Sequence, residues 1–322
     1  MNSLPANNQD WLIRKIMKKG GIISFYEYMN LVLNDPINGY YGSGKANLGF
    51  KGDFVTSPSL SDDFAFFVGK QVEEWLIHFQ SNFLIGEKMS VFELGAGDGT
   101  FMSGLIKYFL KSNQNLLEFI SFVIIEPNKG MIEKQKNKLK EFLIQNIEIS
   151  WKSLEETEEN YINGIVIANE VLDALPVERI TFLKGKLFRQ GVSIDKESES
   201  LSFDQLPITK ELAKSLNLAK NKLGIAIPPK DAPEGWTTEW HVDNLRLLKT
   251  LYEKINNGIL LIIDYAKESN KYYTSRNSNG TIISYKNQKI LNNILDFPGI
   301  CDLTSHLCIE TLINDAETLG FE

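Results

Sequence analysis

Apolar residues in this 322-residue chain fall into two kinds of run. Short, nearly unbroken runs read as strands buried on both faces of a sheet: Val91-Phe92 leading into Glu93, then Phe122–Ile125, Ile147–Trp151, Ile165–Ala168 and Gly258–Asp264. Between them the apolar positions recur at helical spacing, as in Phe101, Leu105, Ile106 and Phe109, and again over Met131–Phe142, a lysine-rich amphipathic helix that reads as a solvated outer face. This alternation predicts an α/β fold with a parallel sheet and right-handed crossovers. Ahead of it, Asp10–Lys18 reads as a short helix, and a capping-box pattern at Ser24–Glu27 opens a second that Asn34-Asp35-Pro36 ends. Ser59–Gln80 reads as one long helix with a stripe from Phe64 to Phe79. From Arg179 to about Gly235 the pattern changes to alternating, antiparallel-like strands, a helix over Glu211–Leu223 and a proline-marked linker. Thr238–Lys254 then reads as helix. The expected division is a helical N-terminal extension with a covering loop over 1–87, a first core part over 88–180, an inserted α+β cap over 181–236, and a second core part over 237–322.

Composition narrows the classes. Hydrophobic residues make up 43% of the chain, ample for a large core, and the net charge is −7. No long basic run is present, which disfavours nucleic acid as a partner. The first fifteen residues, MNSLPANNQDWLIRK, contain no apolar signal-peptide segment, and the longest aliphatic run, Ile259–Ile263, is too short to span a membrane. A cytoplasmic location is the resulting expectation. Cys301 and Cys308 read as small buried hydrophobes, and His78, His241 and His306 lack metal-ligand spacing, so no metal is expected.

Candidate chemistry gathers where the strands end. After Glu93 come Gly95, Gly97 and Gly99 and then a helix, a strand–turn–helix that can cradle a polar ligand at a helix N-terminus or simply turn the chain. The dinucleotide pattern G-x-G-x-x-G fails, because Thr100 stands where its last glycine belongs. Glu126, at the tip of the second strand, is placed to accept hydrogen bonds from a ribose diol, or else is a solvated loop acid. Asn169, Glu170 and Asp173 follow the fourth strand, where open α/β sheets put chemistry; if 171–175 is helical, the two acids share a face. Asn169 could equally cap a helix and Asp173 lie at the surface. The glycine-rich stretch 38–58 is long for a structureless loop unless it serves a site.

The pattern Glu93-x-Gly95-x-Gly97-x-Gly99 resembles the first motif of class I S-adenosylmethionine (SAM)-dependent methyltransferases. The motifs GYY (Gly39–Tyr41), GDFVTSP (Gly52–Pro58), ELGAGDGT (Glu93–Thr100), NEVLDALPV (Asn169–Val177), IDY (Ile263–Tyr265) and FPGICDLTSH (Phe297–His306), in that order, resemble the MidA-like family of these enzymes. That family includes the mitochondrial protein-arginine methyltransferase that acts on a respiratory complex I subunit during assembly. The resemblance implies a Rossmann-like methyltransferase fold with SAM as cofactor. Gly95, Gly97 and Gly99, with Glu93, would line the methionine and ribose part, and Glu126 would hold the ribose. Gly52, Asp53, Phe54, Thr56 and Ser57 would close over the cofactor. Asn169, Glu170 and Asp173 would face the methyl group, and Asp302, Thr304 and His306 would approach from the last loop, unless Asp302 or Thr304 merely caps the following helix.

Some positions depart from the family. Ser59 stands where a glutamate commonly follows TSP, and no histidine follows Tyr285. Class I enzymes close the sheet with a C-terminal strand pair that this sequence lacks before Glu322, which predicts an exposed sheet edge and self-association, a homodimer among the outcomes. The implied activity is N-methylation of an arginine on a partner protein, with Glu170 and Asp173 holding the guanidinium. The rivals are a non-catalytic SAM-binding assembly factor and a small-molecule or nucleic-acid methyltransferase of the same fold; the N-P-P-Y-like signature of the last is absent at Asn169–Leu172.

Overall fold

A computed structural model of the chain describes residues 9–49, 52–80, 88–195, 197–198 and 200–322. The first eight residues, on which the signal-peptide reading partly rests, lie outside the described residues.

Five parallel strands form the centre, in the order Ile255–Ile263, Ile162–Asn169, Met89–Leu94, Ile120–Ile125, Ile149–Lys152. The period of two divides each strand between two cores. Met89, Val91, Phe122, Ile124, Ile165 and Ile167 face the helices Asp62–Gln80 and Thr100–Ser112. Phe92, Leu94, Val123, Ile125, Val166 and Ala168 face Leu172, Leu251 and Leu307 on the other side. Coverage of both faces is why the three inner strands read as nearly unbroken apolar runs. From Met89–Leu94 the chain winds outward through Ile120–Ile125 to Ile149–Lys152, then returns to Ile162–Asn169 on the opposite flank. The order therefore reverses between Met89–Leu94 and Ile162–Asn169, and the crevice at their carboxyl ends is where a ligand fits.

The antiparallel sheet joins Lys186–Ile194, Glu178–Leu183 and Leu201–Leu206 to two strands from elsewhere, Ile22–Ser24 and Thr237–Trp240. It thus reaches past both ends of 181–236 and ties the N-terminal helices to the cap. Ile23, Phe25, Tyr28 and Val192 share one core. Three local expectations change. The long N-terminal helix is broken at Ser61 into Ser57–Leu60 and Asp62–Gln80. Thr237–Trp240 is a strand, not the start of a helix, because it pairs with Glu178–Leu183 and buries Trp240; the helix begins at Val242. Residues 171–175 form turns instead of a helix. The capping box is present as expected, with Ser24 Oγ accepting from Glu27 N and the Glu27 carboxylate accepting from Ser24 N. Cys301 and Cys308 are both buried and unpaired.

The glycine-turn helix lies close against Asp62–Gln80. A Cβ on Gly104 would sit 2.5 Å from the Ala65 Cβ, which a second helix holds in place. Gly104→Val is therefore expected to cost about 2–3 kcal/mol through overpacking. Urea denaturation with an unchanged midpoint would show that the two helices can separate freely.

Candidate functional site

Two cavities meet at the carboxyl end of the sheet. The first, about 300 Å³, opens where the strand order reverses. Its floor is the glycine turn: Gly95 and Gly97 take φ of 57° and 54°, values that suit glycine, and a Cβ on Gly97 would meet the Leu48 side chain at 2.8 Å. Both line the cavity, as do Glu93, Glu126 and Asn169. Gly99 does not; it bends the chain into the helix Thr100–Ser112 from a φ of 87°.

Glu126 is buried and fixed from two sides. One carboxylate oxygen accepts from Asn128 N at 2.9 Å, the other from Gln135 Nε2 at 3.0 Å. Gln135 in turn receives Trp151 Nε1 and donates to Gly97 O, so one fully buried amide ties the glycine turn to the acid on the next strand. The sequence pattern placed Gln135 in a solvated lysine-rich helix; its burial follows from the crossover packing that helix onto the sheet. Burial, followed by the charges of Asp98 and Glu126, lifts the Glu93 carboxyl to about 8. Glu93 Oε2 and Asn169 Oδ1 are buried without a hydrogen-bond partner among the described residues.

A second cavity of about 440 Å³ adjoins the first. Phe54, Glu170, Asp173 and Asp302 border both. Glu170 follows Asn169 with a φ of 51°, strained for a residue with a Cβ, and its N–H donates to Ile263 O at 2.8 Å. Burial lifts its carboxyl to about 7, against the backbone hydrogen bond it accepts from Ser57. Asp264 holds the turn after it, accepting from Leu172 N at 2.9 Å and Asp173 N at 3.2 Å. Asp173 Oδ2 accepts from Thr304 Oγ1 at 2.6 Å while Oδ1 is buried without a partner. Burial and then the Asp264 charge drive the Asp173 carboxyl well up. Asp302 accepts from the Tyr41 hydroxyl at 2.8 Å, and burial raises it to about 6. His306 lines the second cavity only; burial and then Lys267 push its ring below the ordinary histidine range.

The covering loop divides differently from the sequence reading. Phe54 and Thr56 line the first cavity, and Ser57 reaches the site through its N–H to Glu170. Gly52 and Asp53 line neither cavity. A Cβ on Gly52 would meet Asn47 O at 2.1 Å, and Asp53 is buried against Tyr40, whose hydroxyl donates to it at 2.9 Å. Sequence reasoning missed the hairpin around Ile283–Lys286, which carries Tyr285 and Gln288 into the second cavity. The two-residue turn at Asn287-Gln288 lacks glycine, so the usual hairpin signal was absent. Among the described residues no cluster of His, Cys, Asp and Glu could hold a metal, and no helix is long and apolar enough to cross a membrane.

A parallel sheet in this order, a glycine turn and an acid on the second strand define a class I methyltransferase. A family model described as "Putative S-adenosyl-L-methionine-dependent methyltransferase" matches residues 67–322, and the chain belongs to this MidA-like family of SAM-dependent methyltransferases. A Burkholderia thailandensis protein crystallised with S-adenosyl-homocysteine is 26% identical, with a TM-score of 0.82 over 99% of this chain and 79% of that one. The Caenorhabditis elegans "Protein arginine methyltransferase NDUFAF7 homolog, mitochondrial" is 27% identical over 95% of this chain and 71% of its own length. The Rattus norvegicus "Protein arginine methyltransferase NDUFAF7, mitochondrial" is 26% identical over 93% and 68%. These relatives are named as mitochondrial, which overturns the expected cytoplasmic location. That expectation came from the lack of a secretory segment, and such a lack carries no information about organelles.

SAM is the methyl donor of the family, and the first cavity fits it. Glycine backbone leaves room for close approach, and the orphaned oxygens of Glu93 and Asn169 are hydrogen-bonding positions for a polar cofactor.

Proposed function

We propose that the chain N-methylates an arginine side chain on a partner protein, with the second cavity as the acceptor site. The observation that carries this reading is the set of three carboxyls, Glu170, Asp173 and Asp302, bordering both cavities. A guanidinium is a flat fork of five donors with no acceptor, and paired carboxylates are its complement. Tyr265 and Tyr285 line the same cavity, and aromatic rings attract such a cation. The names of the two animal relatives support the assignment. A complex I-type subunit as the partner, with assembly as the setting, belongs to the same reading.

Glu93, Gly95, Gly97, Glu126 and Asn169 would hold SAM, and Phe54 and Thr56 would cover it. When bound, SAM supplies a methyl group already activated on a sulfonium. The chain's own residues then position and desolvate. Phe54 and its loop exclude water; Glu170, Asp173 and Asp302 hold the guanidinium, and Glu170 also takes up the proton the substituted nitrogen loses. His306, which lines the second cavity, is a second acceptor for that proton.

The direct test is incubation with labelled SAM and arginine-containing protein fragments, followed by mass spectrometry for methylarginine. SAM binding without methylarginine on any fragment would favour a binding-only assembly role. pH supplies a second check. The cation binds ionised carboxyls, so its affinity is weak below their pKa values and rises as pH climbs through about 6 for Asp302 and about 7 for Glu170. The KM for an arginine peptide is expected to fall by about tenfold or more between about pH 5.5 and about pH 8. A flat profile would remove both groups from acceptor binding. Ile255–Ile263 is paired on one flank only among the described residues, which suits a homodimer formed edge to edge; light scattering that reports a monomer would end that part of the reading.

A further inference from the structure

We propose that Asp53 is a positioning residue of the acceptor cavity, locking the hairpin that carries Tyr285 and Gln288 to the loop that covers the cofactor cavity. The inference rests on the acceptor reading of the second cavity, but its geometry stands apart from which acceptor binds there.

The hairpin pairs Tyr285 with Ile290 and Lys286 with Lys289, leaving a two-residue turn. Both turn residues have positive φ, 48° at Asn287 and 60° at Gln288. This is the tight turn that matches strand twist, and its second position strongly favours glycine. Glutamine there is strained, and such strain persists only where the surroundings fix it. Asp53 supplies the fixing contacts. Its carboxylate Oδ1 accepts from Asn287 N at 3.0 Å, and its own carbonyl accepts from Gln288 N at 2.7 Å. Lys286 Nζ lies 3.7 Å from the same Oδ1, and Oδ2 accepts the buried Tyr40 hydroxyl at 2.9 Å. One nearly buried residue thus holds both amides of the strained turn. Its own backbone is fixed in turn, since Asp53 N donates to Asn47 O at 2.7 Å.

The next residue, Phe54, borders both cavities, and Ser57 N–H reaches Glu170. The segment 53–57 is therefore one unit with three attachments: the hairpin, the shared wall and the shared carboxylate. Ordering this loop over the cofactor also sets the acceptor wall. The motif aspartate that the sequence assigned to the cofactor acts on the opposite side.

The test uses the full chain and compares Asp53→Ala with Asp53→Asn. Hydrogen exchange over 283–291 and calorimetric titration with S-adenosyl-homocysteine are read on both. In Asp53→Ala the hairpin amides are expected to lose about tenfold or more of their protection, as local opening becomes easier. Strands Met89–Leu94 and Ile120–Ile125 should keep theirs, and the S-adenosyl-homocysteine Kd should stay within about threefold, because no cavity-lining contact is removed. Asp53→Asn keeps an acceptor for Asn287 N and should recover most of the protection, which separates the effect from misfolding. In the kinetic arm, Asp53→Ala should raise the KM for an arginine peptide far more than the KM for SAM. Unchanged hairpin protection in Asp53→Ala, or a loss of S-adenosyl-homocysteine affinity matching the loss of protection, overturns the proposal. A wild-type chain that methylates no arginine peptide defeats the acceptor reading, while the exchange data still decide the role of Asp53.

Discussion

Glu170→Gln is expected to bind S-adenosyl-homocysteine within about threefold of wild type and to lose methyl transfer by a factor of about 10²–10⁴, the range removed with a positioned proton acceptor. The expectation comes from the place of Glu170 on the shared wall and from its carboxyl, lifted to about 7 by burial. Near neutral pH such a group is part ionised, so it can hold a cation and accept a proton. Glutamine preserves size and an acceptor for the Ser57 N–H, so the covering loop has no reason to move. The strained φ of 51° also serves glutamine no worse than glutamate. Single-turnover transfer and calorimetry on the same preparation check the two halves separately. Full activity in the variant would exclude Glu170 from the chemistry. Loss of cofactor binding in parallel with transfer would make it a cofactor residue instead.

Glu126→Ala is expected to show the complementary pattern, with cofactor binding lost first. A buried carboxylate that meets a ribose diol makes charge-assisted hydrogen bonds, each worth about 1.5–3 kcal/mol, so the S-adenosyl-homocysteine Kd should rise by at least about tenfold. Burial raises the Glu126 carboxyl against the lowering hydrogen bonds from Asn128 and Gln135. Removing it also frees Gln135 Nε2 and so loosens the glycine turn through Gly97 O. Gln135→Leu separates the two contributions, because it removes the tie and leaves the acid. Calorimetric titration of both variants reads the result. An unaltered Kd in Glu126→Ala would place the ribose elsewhere in the cavity.

Contrasting outcomes are expected because the two acids stand on opposite flanks of Met89–Leu94. Glu126 ends the strand on one side, and Glu170 follows the strand on the other. That each of these acids stands at the end of an apolar run was legible in the chain order alone. The reach of each side chain was not. Glu170 and Asp173 would share one face only if 171–175 were helical, and it is not. They are brought together instead by Asp264, which accepts the N–H groups of Leu172 and Asp173 from a neighbouring strand end. A hydrogen bond between residues so far apart in sequence leaves no local pattern.

Short apolar runs marked the five parallel strands, because strands covered on both faces demand such runs whatever the loops do. The sequence by itself also determined the capping box at Ser24–Glu27 and the glycine turn, both local in origin. The ordered motifs were enough to recognise the family. Tertiary structure alone decided which polar residues face a cavity. Asp53 turned from the predicted cofactor to a hairpin, Gln135 left an apparently solvated helix to hold Glu126, and Thr237–Trp240 became a strand. In each case the deciding partner lies on another element, and burial made an unpaired donor or acceptor too costly to leave. Local pattern fixes elements through the backbone's own preferences, whereas a site depends on the desolvation of groups that only the folded chain brings together.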